Sequence, residues 1–171
     1  MSPVKQFALL TVYLIFSQVK AQGPVSTQKT GSIFTLADTQ TQPVILTDSS
    51  DDWLVNKAAV LLQSDIAEVS GQSLTISHHL PPGTKNIVLI GSIAHSAFIR
   101  QLAAEHRLTT SSLNDQWEAY RISVVANPFP GVAKALVIAG SDKRGAAYGV
   151  FELSRLIGVS PWYWWADVPV Q

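Results

Sequence analysis

Along this chain, apolar runs of strand length alternate with stretches of helical period. Ser32–Ala37 and Val44–Thr47 are short and β-branched, and the polar turn between them around Thr39–Gln42 predicts a strand pair. From Asp51 to Val69 the period changes. Leu54, Ala58, Leu61, Leu62, Ile66 and Val69 recur at helical spacing with charges on the other side, which predicts an amphipathic helix. Ser49, Ser50 or Asp51 can cap its start, because each offers a side-chain oxygen to the unpaired N–H groups of a first turn, and Gly71 can close its end. Leu74–Ser77 reads as a brief strand, and Asn86–Ile90 is a continuous apolar run of the kind that sits mid-sheet with both faces covered. Gly91-Ser92 ends it, and a helix is predicted from Ile93 to about Glu105. Leu108–Asp115 is polar and rich in turn residues, while Glu118–Val125 alternates like a strand with one wet face. Asn127-Pro128 and Pro130-Gly131 mark a turn, Ala133–Ala139 is another buried strand, and a last helix runs from Arg144 or Gly145 to Ile157, stopped by Gly158 and Pro161. This alternation predicts an α/β domain over residues 31–158, a sandwich of one mixed sheet and about three packed helices.

The ends of the chain read differently. Lys5 precedes an apolar stretch from Phe7 to Phe16, and Val19-Lys20-Ala21 puts small residues at the positions a signal peptidase reads. Residues 1–21 therefore have the layout of a cleavable secretory signal, and a secreted or periplasmic protein of bacterial type is expected. The stretch is too short for a bilayer core, which needs about 20 helical residues, so no membrane partner is expected after cleavage. Residues 22–30, polar with Gly23 and Pro24, form an unpacked lead-in.

Composition narrows the function classes. The 171 residues are 47% hydrophobic, with 12 Lys+Arg against 12 Asp+Glu and no Cys. That length and apolar content suffice for one domain with a sizeable core. Loss of residues 1–21 would remove Lys5 and Lys20 and leave 10 Lys+Arg against 12 Asp+Glu, a net charge of −2. Without an excess of cations, phosphate-driven binding has nothing to act through, and nucleic acid drops out as a partner. Without cysteine there is no disulfide, thiolate metal site or cysteine nucleophile. No cofactor or metal is expected.

Three segments stand where α/β sheets bind ligands or where chemistry concentrates. Gly91-Ser92 and Gly140-Ser141-Asp142-Lys143-Arg144-Gly145 each follow a buried strand and precede a helix, so exposed amides there can hold an anion or a sugar carboxylate. The alternative is that Gly140 and Gly145 only permit a tight turn and close helix-to-sheet packing. Neither loop carries a nucleotide-binding fingerprint. The third segment, Ser160 to Pro169, holds Trp162, Tyr163, Trp164 and Trp165 in a row, followed by Asp167. Indole faces stack on the C–H faces of sugar rings, which suits a carbohydrate cleft, and the same surface suits a hydrophobic seam against another domain. Either way, something covers it.

The remaining groups point to no chemistry. His78 and His79 are adjacent, so on a strand they face opposite ways, and they suit a surface turn before Pro81-Pro82. His95 and His106 stand about three helical turns apart, too far to share a metal ion. Asp51, Asp52, Asp65, Glu68, Glu105 and Glu152 fall on helix surfaces and turns, leaving Asp142 and Asp167 beside the suspect loops. No Gly-x-Ser-x-Gly elbow occurs.

The run Gly140-Ser141-Asp142-Lys143-Arg144-Gly145-Ala146-Ala147-Tyr148-Gly149, continued by Pro161-Trp162-Tyr163-Trp164-Trp165-Ala166-Asp167-Val168-Pro169, resembles the end of the N-terminal α/β domain of glycoside hydrolase family 115. The resemblance is clearest over 86–171 and extends from Thr35. Members of that family are exported xylan α-1,2-glucuronidases whose catalytic acids belong mainly to a (β/α)8 barrel after this domain. The resemblance therefore implies an accessory domain, with residues 159–171 as a tryptophan-rich connector toward a barrel beyond Gln171. It implies no catalytic residue in this chain. It leaves Trp162, Trp164, Trp165, Asp167, Lys143 and Arg144 as substrate-binding or barrel-docking positions. The expected partners are that barrel and a xylan-type polysaccharide or oligosaccharide, and the chain alone is expected to be inactive. A stand-alone secreted carbohydrate-binding module built on Trp162–Trp165 is the rival reading.

Overall fold

The computed structural model describes residues 34–37 and 42–160. The expected signal peptide, the lead-in and the tryptophan-rich segment from Pro161 onward lie outside the described residues. The elements are β1 (Val44–Leu46), α1 (Trp53–Ser70), β2 (Ile76–Ser77), β3 (Asn86–Ser92), α2 (Ala97–Ala104), a 3₁₀ turn (Ser111–Leu113), β4 (Tyr120–Ala126), β5 (Lys134–Gly140) and α3 (Lys143–Leu156). They form one five-stranded sheet in the order β2-β1-β3-β5-β4. β2, β1, β3 and β5 run parallel, and β4 is antiparallel to β5. The short connection at 127–133 accounts for that reversal, since a parallel neighbour needs a crossover of a dozen residues or more. The architecture is the expected α/β fold with a mixed sheet and three helices.

Helices cover both sheet faces, which is why β3 and β5 read as continuous apolar runs. Ile45, Val88, Ile90, Leu136 and Ile138 pack against α1 and α3, through Val55, Ala59, Leu62, Ala146 and Val150. The other face, with Leu46, Ile87, Leu89, Val137 and Ala139, meets Ile99 and Leu102 of α2. Because α2 has only eight residues, loop residues complete that layer: Leu108, Leu113, Phe129 and Val132 are buried there, and Phe98 meets Phe129 edge-on at 5.8 Å. Each Leu, Ile or Val withdrawn from water here stabilises the fold by about 1.5–3 kcal/mol.

Several boundaries differ from the sequence expectations. Phe34–Ala37, the described part of the expected first strand, carries no strand structure. β1 is paired on both sides, with Ile45 opposite Ile76 in β2 and Val88 in β3, so it has no edge left for a hairpin partner. Phe34 and Leu36 instead pack on the α1/α3 core. Helix α1 is capped by Asp52, whose carboxylate accepts from Leu54 N at 3.0 Å, and not by Ser49, Ser50 or Asp51. Its end is as expected, with Gly71 at φ 70° donating to Ala67 O. Gly91-Ser92 stays in β3, and α2 starts at Ala97 instead of Ile93. Residues 93–96 form a turn in which Ile93 N donates to Gly140 O, and Ser96 Oγ caps the helix by accepting from Ile99 N at 3.3 Å.

Candidate functional site

The chain after β1 and after β5 enters helices on one face of the sheet, and the chain after β3 enters α2 on the other. Neighbouring strands thus send their connections apart on both sides of β3. Those partings, at the carboxyl ends of the strands, are where open α/β sheets form ligand crevices.

In this protein the crevice between β1 and β3 is closed by the chain's own carboxylates. Asp51, nearly fully buried, accepts from Ser92 N through Oδ2 and from Ser92 Oγ through Oδ1, both at 2.8 Å. Asp48 Oδ2 accepts from Ala97 N at 2.8 Å, and its Oδ1 accepts from Ser50 N and Ser50 Oγ. At the start of α3, Asp142 Oδ1 accepts from Gly145 N at 2.7 Å and Oδ2 from Glu118 N at 3.0 Å. The helix-start amides that sequence reasoning offers to an anion are thus held by Asp48, Ser96 and Asp142. For Asp48, burial pushes the carboxyl pKa up, but hydrogen bonds from Ser50 and Ala97 outweigh it and leave the group below its ordinary value. Asp142 ends low in the same way: burial opposes its charge, and the N–H groups of Gly145 and Glu118 overcome that.

The glycines of this loop serve close packing. A Cβ on Gly140 would stand 2.1 Å from Ala146 N, and one on Gly145 would stand 2.2 Å from Ala119 O. Backbone fills both positions, so only glycine lets α3 settle this close to the sheet.

Between the β3 and β5 loops a depression of about 170 Å³ remains, lined by Asp52, Ala94, His95, Asp142 and Lys143. Lys143 Nζ lies 3.1 Å from Asp52, linking the starts of α3 and α1. The Leu54 N–H and then the Lys143 ammonium hold the Asp52 carboxyl below its ordinary range. Arg144 pairs with Glu118 at 2.9 Å and donates to Tyr148 Oη at 3.1 Å. Lys143 and Arg144 therefore stand together at the carboxyl end of the sheet, half exposed and already partnered. The other depression, about 420 Å³, lies at the 127–133 connection, where Arg107 donates to the Asn127 carbonyl and Lys85 and Phe129 line the wall.

No acid at the smaller depression is poised to give up a proton near neutrality, because Asp52 and Asp142 are both held ionised. Burial does push the Asp65 carboxyl up, but that group sits in the body of α1, toward Ser154 of α3. Among the described residues no group of three His, Asp or Glu side chains converges where a metal ion would sit. His78 Nδ1 lies 2.9 Å from Thr47 Oγ1 at the end of β1, with its neighbour His79 exposed. Of the six nominated positions, Lys143 and Arg144 are brought together, while Trp162, Trp164, Trp165 and Asp167 lie outside the described residues. Sequence reasoning left Asp48 unnamed and took Asp51 for a helix cap or surface acid, where it is the buried acceptor for Ser92. Their signal was the acid-rich run Asp48-Ser49-Ser50-Asp51-Asp52 directly after a strand.

Neither a family model nor a curated protein matches the sequence. Among solved structures, the chain is similar to a family GH115 4-O-methyl-α-glucuronidase with specificity for decorated arabinogalactans, at 32% identity and a TM-score of 0.60. The match covers 75% of this chain and 15% of that one, so the chain spans a small part of the enzyme it resembles. The described residues thus form a glycoside-hydrolase-related domain, similar in structure to part of a GH115 enzyme.

Proposed function

We propose that this chain is the N-terminal accessory domain of a secreted α-glucuronidase that removes glucuronic acid or 4-O-methylglucuronic acid side chains from xylan. The observation that carries the reading is the 32% identity to a GH115 enzyme over 75% of the chain. Hydrolysis needs one carboxylic acid to protonate the leaving oxygen and a second carboxylate to activate water, and the two described acids at the smaller depression, Asp52 and Asp142, are both held ionised, which fits an accessory role for the described residues. Those groups belong to a following barrel, and Trp162–Trp165 with Asp167 lead toward it. The structural neighbour is specific for decorated arabinogalactans, so the uronic acid is the element common to the two substrates, and the main chain is what differs.

The test has two parts. The 171-residue chain, incubated with glucuronoxylan and with a glucuronic-acid-decorated arabinogalactan, is expected to release no uronic acid by chromatography. The reading frame after codon 171 is expected to continue through about 250 residues or more of alternating strands and helices. Turnover by the chain alone, or a stop codon directly after Gln171, would overturn the proposal.

A further inference from the structure

β4 is one edge of the sheet, and its inner side pairs with β5 without interruption from Tyr120 opposite Gly140 to Ala126 opposite Lys134. The bonds at the two ends of this ladder fix which backbone groups point outward. Ser141 N donates to Ala119 O and Asn127 N donates to Ala133 O, both at 2.8 Å, so the odd-numbered residues of β4 bond to β5. In an antiparallel ladder such residues alternate with others whose N–H and C=O point away. Tyr120, Ile122, Val124 and Ala126 therefore turn theirs outward, and among the described residues these groups have no partner. The strand also lacks the devices that blunt an edge: it holds no proline and no lysine, it has no bulge, and at seven residues it is not short. The opposite edge, β2, is only two residues long. One side chain of β4 is unsatisfied as well, since Ser123 Oγ is buried with no hydrogen-bond partner among the described residues.

We propose that the outer edge of β4 pairs with the same edge of a second copy of this chain, antiparallel and centred on Ser123, so that one sheet runs through both copies. The inference stands apart from the proposed function. The edge identifies its own occupant, because a two-fold contact requires a surface that complements itself. Outward groups must meet outward groups, and an axis through Ser123 does this: Ile122 faces Val124 of the second copy, and Tyr120 faces its Ala126. An axis through Ile122 or Val124 obeys the same rule but leaves one end of each strand unpaired, whereas Ser123 is the centre of the strand and uses all seven residues. The side chains agree with this register. Ile122 and Val124 are half-buried on the α1/α3 face, and each gains a β-branched neighbour across the new seam. Arg121, the one charged residue of β4, falls opposite Val125, so like charges are not opposed. The two Ser123 residues meet at a non-hydrogen-bonded position, the closer of the two antiparallel spacings, where one hydroxyl can donate to the other.

Sedimentation equilibrium of the 171-residue chain is expected to show a dimer. Positions 120 and 126 are exposed, stand at opposite ends of β4 and meet only across the proposed axis. Tyr120→Lys with Ala126→Lys sets lysine against lysine at both ends. It is expected to associate about ten-fold or more weakly than Tyr120→Lys with Ala126→Glu, in which opposite charges meet. Because the chain has no cysteine, Ser123→Cys adds a single thiol. Its Cα would lie about 4.5 Å from its symmetry mate, within disulfide reach. Mild oxidation is expected to link two chains of this variant, but not of Arg121→Cys, which stands opposite Val125 instead. A monomeric wild type, as a segment of the same chain covering the edge would produce, overturns the inference. So do equal affinities of the two doubly charged variants, and so does equal cross-linking of the two cysteine variants, since either places the contact elsewhere. If the charged variants fail to fold, the cross-linking comparison decides.

Discussion

Asp51 grips Ser92 across the carboxyl edge of the sheet with both carboxylate oxygens, one on the backbone N–H and one on the hydroxyl, each at 2.8 Å. This bond fastens the end of β3 to the loop after β1 and fills the crevice where an α/β sheet would otherwise receive a ligand. Asp51→Ala leaves the buried Ser92 N–H and hydroxyl without these acceptors and is expected to destabilise the fold by about 3 kcal/mol in urea unfolding. A loss under about 1 kcal/mol would mean that water replaces the carboxylate at that edge.

Gly140 and Gly71 predict opposite sensitivities. At Gly140 an added Cβ meets the backbone of Ala146 at 2.1 Å and of Asp142 at 2.6 Å, neither of which can swing aside. Gly140→Ala is expected to destabilise by about 3 kcal/mol or more, or to prevent folding. Gly71 has open space around it and only its positive φ to lose, so Gly71→Ala is expected to cost about 1 kcal/mol. Equal melting temperatures for the two variants would contradict the packing assigned to the Gly140 loop.

Asp65 works against the fold at neutral pH. Burial beside α3 pushes its carboxyl pKa above the unfolded value, with Glu68 adding to the rise and Ser154 opposing it. The folded state therefore holds this proton more tightly than the unfolded one. The penalty is absent below the unfolded pKa and is fully present once pH rises past the folded value. Asp65→Asn is expected to raise the melting temperature at pH 7 and to leave it unchanged at pH 3. A gain of equal size at both pH values would trace the effect to something other than charge.

Asp48 and Asp142 carry the reverse sign. Their folded pKa values lie below the unfolded value, so each contributes stability above about pH 4 that is lost as pH falls through the folded pKa. Asp142→Asn keeps a side-chain oxygen for capping but removes the charge. It is expected to flatten the fall in stability between pH 5 and pH 2, as followed by circular dichroism. An unaltered acid profile would show that these caps contribute no charge-dependent stability.

How much of this was legible varies by element. The continuous apolar runs before Gly91 and Gly140 identify β3 and β5, because a strand covered on both faces has no polar side to show. Helices α1 and α3 follow from spacing and from Gly71 and Gly158 at their ends. The start of α2 is misread because Ile93 and Ala94 suit a helix, whereas the cap that matters is Ser96, seated against the sheet end. Lys143 and Arg144 are found through their loop, but their partners Asp52 and Glu118 come from distant segments that no local pattern joins to them.

Segment character in this protein is a local property. Periodicity, β-branching and glycine placement act over a few residues, and they suffice for an α/β domain with buried central strands. Neighbour relations are not local. Whether β1 pairs with Phe34–Ala37 or lies between β2 and β3 depends on which surfaces are buried together. So does the closing of the crevice by Asp48 and Asp51, and so does the exposure of Trp53 and Trp117. Those outcomes are set by free-energy differences between whole packings, to which residues far apart in the chain contribute jointly.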